Sequence, residues 1–180
     1  MRLVLHNPFR SAITRALPQV LTAATLLCAS FAWAQRTTVY PDDQLRWNDA
    51  IVHVEGGLVR TGNDWRGEVL YTVQGDRIFR GFSSSSFDVL YTVREGQLYL
   101  GDSHFSSDIA YTFKNGRVYL GDSEYLLDQV YNLREEPLHH GEVVSIYTDD
   151  NGSSFDRVCS IQGPFTPAEW FALMLAQGLL

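Results

Sequence analysis

The chain has 180 residues, room for one domain of ordinary size, and its 21 acidic against 14 basic side chains give a net charge of −7. No basic stripe interrupts that acidity, which excludes nucleic acid as a partner, because its phosphates would be repelled, and disfavours a bare anionic membrane surface.

The first segment is not part of the fold. Arg2, Arg10 and Arg15 precede an apolar run from Val20 to Trp33 that closes on Ala32-Trp33-Ala34. A basic start, an apolar stretch and a small-x-small end describe a secretory signal peptide over 1–34, cut before Gln35. Pro18, Gln19, Thr22 and Thr25 shorten the run below what a membrane span requires. The expected plan is therefore a signal peptide over 1–34, a repeat domain over 35–165 and a helix over 166–180 packed on that domain. The mature chain is expected in the periplasm or outside the cell, without a stable membrane span. It loses three arginines and no acid, which leaves 11 basic against 21 acidic side chains and a net charge of −10. It also loses Cys28, so Cys159 has no internal disulfide partner, and its neighbours Val158 and Ile161 point to a buried small residue rather than an intermolecular bridge.

From Asp49 onward one sentence is written repeatedly. Each unit opens on an acid, Asp49, Glu68, Asp88, Asp108, Asp128 or Asp156, and Tyr71, Tyr91, Tyr111 and Tyr131 stand 20 apart. The five residues after each acid are apolar at the third and fifth places and polar at the fourth (His53, Thr72, Thr92, Thr112, Asn132, Ser160). That alternation predicts a strand with one buried face. A short turn follows, of which Asn115-Gly116 is the strongest, since tight hairpin turns need positive φ. Second strands are expected from Val59, Ile78, Leu98 and Val118. Each ends on a glycine (Gly62, Gly81, Gly101, Gly121) that marks a bend. A Ser- and Asp-rich loop leads to the next acid.

The fifth hairpin is eight residues longer than its period, and the extra length is expected in the turn around Arg134 to Val144. The ends of the domain fit each other. Residues 37–41 look like a second strand without a first, and Arg157-Val158-Cys159-Ser160-Ile161 like a first strand without a second. Pairing them closes six hairpins into a barrel- or propeller-like ring and removes two exposed edges. An open, elongated array is the alternative. The tail carries Thr166-Pro167-Ala168-Glu169, a capping signature, and then Trp170, Phe171, Leu173, Met174 and Leu175. A helix from Pro167 to about Gln177, apolar over most of its circumference, must be buried. It is expected to plug or cap the ring, with self-association through it, or docking to a membrane or partner, as the alternatives.

The unit Phe82-Ser83-Ser84-Ser85-Ser86-Phe87-Asp88, followed by Val89-Leu90-Tyr91-Thr92-Val93, resembles the units of a loose group of bacterial tandem β-hairpin repeat proteins of unknown function, with repeats of the type Y-x-G-[RD]-S-[ST]-S-S-x-D. Their short helical tail, L-T-x-x-E-F-like, resembles Phe165-Thr166-Pro167-Ala168-Glu169-Trp170-Phe171 here. The resemblance spans nearly all of 37–175. It implies the repeat fold and carries no catalytic residues with it. Two-strand repeats of the MORN kind are more distant, because their glycine pattern is not met.

The search for chemistry yields no catalytic residue, no metal site and no cofactor. His139-His140 lie adjacent in a turn rather than at the skipped spacings that place ligands on one face. Asp149-Asp150-Asn151-Gly152-Ser153 lacks calcium-loop spacing and a closing glutamate. The leading acids are expected to hydrogen-bond nearby backbone. The more suggestive set is Tyr40, Phe79, Tyr99, Tyr119 and Tyr147, which recur at one place of the second strand beside Asp102 and Asp122. Exposed, they make a stacking surface for a glycan or a protein; packed against neighbouring hairpins, they are structural. The expected function is an exported, non-enzymatic binding module for a glycan or protein partner. A carboxylate-dependent hydrolase and a self-assembling envelope protein are the alternatives.

Overall fold

The computed structural model describes residues 36–41, 45–138, 141–148 and 154–180. Contacts divide the chain into residues 1–34 and 35–180, and every described residue belongs to the second unit. The expected signal peptide lies outside the described residues.

Twelve strands follow one another: β1 (Thr37–Tyr40), β2 (Val52–Glu55), β3 (Leu58–Thr61), β4 (Val69–Gln74), β5 (Arg77–Arg80), β6 (Val89–Arg94), β7 (Gln97–Leu100), β8 (Ile109–Lys114), β9 (Arg117–Leu120), β10 (Gln129–Leu138), β11 (Gly141–Tyr147) and β12 (Arg157–Gln162). Each pairs antiparallel with its sequence neighbours, and β1 pairs β12, so the sheet is a closed barrel. The closing register is Thr38↔Gln162, Val39↔Ile161 and Tyr40↔Ser160. The open array is thereby excluded. Because the meander is strictly up and down, all hairpin turns lie at one end of the ring and all connections between hairpins at the other.

The inward face is set by the alternation seen in the sequence. Val73 pairs Ile78, Val93 pairs Leu98 and Phe113 pairs Val118. These residues join Val39, Val52, Val54, Val59, Ile146, Cys159 and Ile161 in one apolar cluster. A face contributed from all round a closed barrel and gathered into one cluster is the lumen. Helix α1 (Pro167–Ala176) occupies it. Ala168 and every residue from Trp170 to Leu175 are buried, and Trp170 packs on Phe113 with ring centroids 5.2 Å apart. The helix starts as its sequence dictates: the Thr166 side chain accepts from Glu169 N–H, and the Glu169 carboxylate accepts from Thr166 N–H at 2.8 Å. Twelve strands about 4.8 Å apart make a ring about 18 Å across before tilt widens it. One helix, about 10–12 Å wide with its side chains, fits that space.

Two expectations are corrected. The second strands begin one residue early and stop before the glycine, because the glycine, at φ near 60° in each case, leaves the sheet. The surplus of the fifth hairpin is not a turn excursion: both strands continue, pairing from Arg134↔Ser145 through Leu138↔Gly141. The result is a two-stranded ribbon standing roughly 13 Å past the other turns.

Candidate functional site

The outer wall of the barrel is a second layer, and this decides the fate of the expected stacking surface. After each second strand the glycine turns the chain back over the preceding strands. Gly81, Gly101 and Gly121 carbonyls accept from Thr72, Thr92 and Thr112 hydroxyls at 2.7–2.8 Å. In the first hairpin the buried His53 ring takes the threonine's place, its Nδ1 donating to the Gly62 carbonyl at 2.7 Å. Burial lowers the His53 pKa from 6.5, although that hydrogen bond opposes the shift. The next residue reaches the tip of the neighbouring hairpin: Asp102 accepts from Arg77 at 2.9 Å and Asp122 from Gln97 at 2.8 Å. At the equivalent place Phe82 and Leu58 line one depression with Thr72, an apolar version of the same link.

Under these straps five of the six polar fourth places, His53, Thr72, Thr92, Thr112 and Ser160, are buried, and Asn132 is half-buried. Tyr40, Phe79, Tyr119 and Tyr147 are buried, and Tyr99 is half-buried with its hydroxyl donating to Gln97 at 2.7 Å. Arg134 and Arg157 each lie 5.5 Å from the Tyr147 ring centre, and Arg157 donates to its hydroxyl at 3.0 Å. The five rings recur as expected but pack between layers, so they form no exposed platform, and Asp102 and Asp122 tie straps down beside them. The leading acids hold the straps too, by a route the sequence did not suggest. Asp88, Asp108 and Asp128 accept from Ser83, Ser103 and Ser123, whose own hydroxyls accept the N–H of Ser85, Phe105 and Tyr125.

What the straps leave outside is the feature that sequence reasoning missed. Each of the six connections at the loop end carries a large apolar side chain in solvent: Trp47, Trp65, Phe87, Phe105, Leu127 and Phe155. Phe87, Leu127 and Phe155 are 96%, 98% and 96% exposed. The available signal was their appearance in loops otherwise built of Ser, Asp and Gly. On the lumenal side of this end, Tyr71, Tyr91, Tyr111 and Tyr131 form an arc packed on the core. Burial raises the pKa of Tyr71 and Tyr131, and their tyrosine neighbours add to the shift. Val52 and Cys159 take the two remaining equivalent places, and burial pushes the Cys159 thiol up to about 12.

Among the described residues no group of three His, Cys, Asp or Glu is placed to hold a metal. His139, His140 and 149–153 lie outside the described residues. No helix among them is long and apolar enough to cross a membrane.

A ring of six hairpins closed by its own termini also matches a family model, described as 6-fold beta flower protein, over residues 39–166. The chain belongs to that family, one of tandem β-hairpin repeats. Neither the curated proteins nor the solved structures contain a match.

Proposed function

We propose that the mature chain is an exported, non-enzymatic interaction module that holds a protein partner across the loop end of its ring. The observation that carries this is the set of exposed apolar side chains, one or more on every connection. Contiguous apolar exposure marks interaction sites, and a closed ring presents these groups on one rim. The form of the groups favours a protein over a glycan. A sugar stacks on a ring face held flat by neighbours, whereas Phe87 is 96% exposed to solvent, and Leu126 and Leu127 have no ring face at all. Knobs of this kind fill holes in a partner surface. Asp88, Asp102, Asp108, Asp122 and Asp128 are engaged in holding straps, which supports binding over carboxylate hydrolysis. Export is supported by the basic and apolar segments before Ala34 and by β1 beginning at Thr37, just past the expected cut.

The test is affinity capture with the mature protein and with a Phe87→Ser, Leu127→Ser, Phe155→Ser variant, alongside a glycan array. A protein captured by the first, lost by the second and re-bound in purified form supports the reading, provided both melt alike. Capture indifferent to the substitutions, or a strong array signal indifferent to them, overturns it. Amino-terminal sequencing of protein recovered outside the cytoplasm is expected to begin at Gln35; a start at Met1 overturns the export step.

A further inference from the structure

At the opposite end, where the helix enters the lumen, we propose a second site: a pocket for a small aromatic ring carrying a positively charged amine. A cavity of about 120 Å³ opens between the first turn of α1 and the wall, lined by Phe113, Leu133, Phe165, Pro167, Trp170 and Phe171. Its lining is apolar, and its size suits one ring rather than a drug-sized ligand, for which pockets run from about 300 Å³ upward. The Trp170 side chain is buried, yet its Nε1 has no hydrogen-bond partner among the described residues. That nitrogen is closed off from the cavity, so what Trp170 presents to a ligand is the rest of its ring, beside the Phe113 and Phe171 rings on which it packs.

The second half of the site lies across Pro167. That residue also lines a shallower groove of about 290 Å³, with Gly75, Asp76, Val93, Glu95, Gly96, Thr166 and Ala168. Its side-chain charges are Asp76 and Glu95. Arg94 approaches Asp76 at 3.8 Å, and Glu95 has no ion-pair partner among the described residues. Glu169, close by, is held by the Thr166 cap. An apolar hole beside an acidic shoulder selects a ring with a cation attached and disfavours a ring with a carboxylate. Leu133 lies where the fifth hairpin runs on past the other turns, so the projecting β10–β11 ribbon flanks this entrance.

The probes are 2-phenylethylamine, 2-phenylethanol and phenylacetate, titrated into the mature protein while the indole N–H resonances are followed by NMR. The Trp170 resonance is expected to move, with the amine binding about tenfold more tightly than the alcohol and phenylacetate weakest. Asp76→Asn with Glu95→Gln is expected to bring amine and alcohol to equal affinity without weakening the alcohol. Leu133→Trp, which fills the hole, is expected to abolish all binding; should that variant unfold, Leu133→Phe gives the same test with a smaller added volume. A Trp170 resonance that no probe moves overturns the site. Equal affinities for amine and acid in the unaltered protein overturn the acidic selection.

Discussion

At the scale of single residues the repeat supplies its own controls, since each place recurs around the ring with different residues on the same backbone. Glu95 sits at φ 51° and Asn115, at the same place of the next turn, at φ 53°. Left-handed backbone costs a residue with a long side chain about 1 kcal/mol, and asparagine tolerates it better. Glu95→Asn is therefore expected to raise stability by about 0.5–1 kcal/mol in urea denaturation. Gly96, following it at φ 81°, has no such latitude: a Cβ there would meet the Phe113 carbonyl oxygen at 2.7 Å. His53 gives a pH signature. Its folded pKa is lowered by burial, so above pH 6.5 the ring is neutral in folded and unfolded chains alike and no stability is lost. As pH falls below that value, the unfolded chain takes up a proton that the folded ring resists, and stability declines until the folded pKa is passed. His53→Thr, which installs the repeat's usual residue, is expected to remove this part of the slope when denaturation midpoints are compared from pH 8 to pH 5. The inward residues were legible in the sequence because alternation is covalent geometry. The fate of Tyr40, Phe79, Tyr119 and Tyr147 was not, because it depends on straps, and the recurring glycines, serines and aspartates mark a bend without saying over which face the chain turns back.

At the scale of elements, two of the links that hold the strap after β7 differ in weight. The Arg77–Asp102 pair is about two-fifths exposed on both sides, so solvent screens it, and Asp102→Ala is expected to cost under about 1 kcal/mol. Thr92 is fully buried, and Thr92→Val leaves the Gly101 carbonyl without its donor, at a cost of about 1–3 kcal/mol. Denaturation of the two variants side by side checks the order; a reversed order means that the outer layer is held by its charged links. The helix is the heavier element. Leu173 is wholly buried in the lumen, and Leu173→Ala is expected to cost about 2–5 kcal/mol, against about 1 kcal/mol for the cap variant Thr166→Ala. The helix announced itself through its cap and its all-round apolar surface. The long fifth hairpin did not announce itself as strand: Glu135, Glu136 and Pro137 break the alternation by which the other strands were read, so paired backbone resembled a turn.

At the scale of the molecule, closure is a non-local property resting on very little chain. β1 is four residues long, yet it supplies the register Val39↔Ile161 on one side and Val39↔Val52 on the other. All four of its residues are buried, and Val39 belongs to the lumenal cluster. Its loss would remove two ladders at once and leave β2 and β12 as facing edges with unpaired backbone groups, the arrangement that recruits strands from other molecules. A chain beginning at Pro41 is therefore expected to behave differently from a chain with a core defect. Light scattering should report association that rises with concentration, with the sheet signal in circular dichroism retained, because the remaining hairpins still pair in sequence around α1. A synthetic peptide spanning Gln35 to Tyr40, added in excess, should return the protein to monomer by restoring the missing strand. Val39→Ala in the intact chain is the contrast: it weakens the lumen without opening an edge, and is expected to lower the denaturation midpoint while leaving the protein monomeric. If the shortened chain stays monomeric and as stable as its parent, the ring does not depend on its termini, and β12 must find another neighbour.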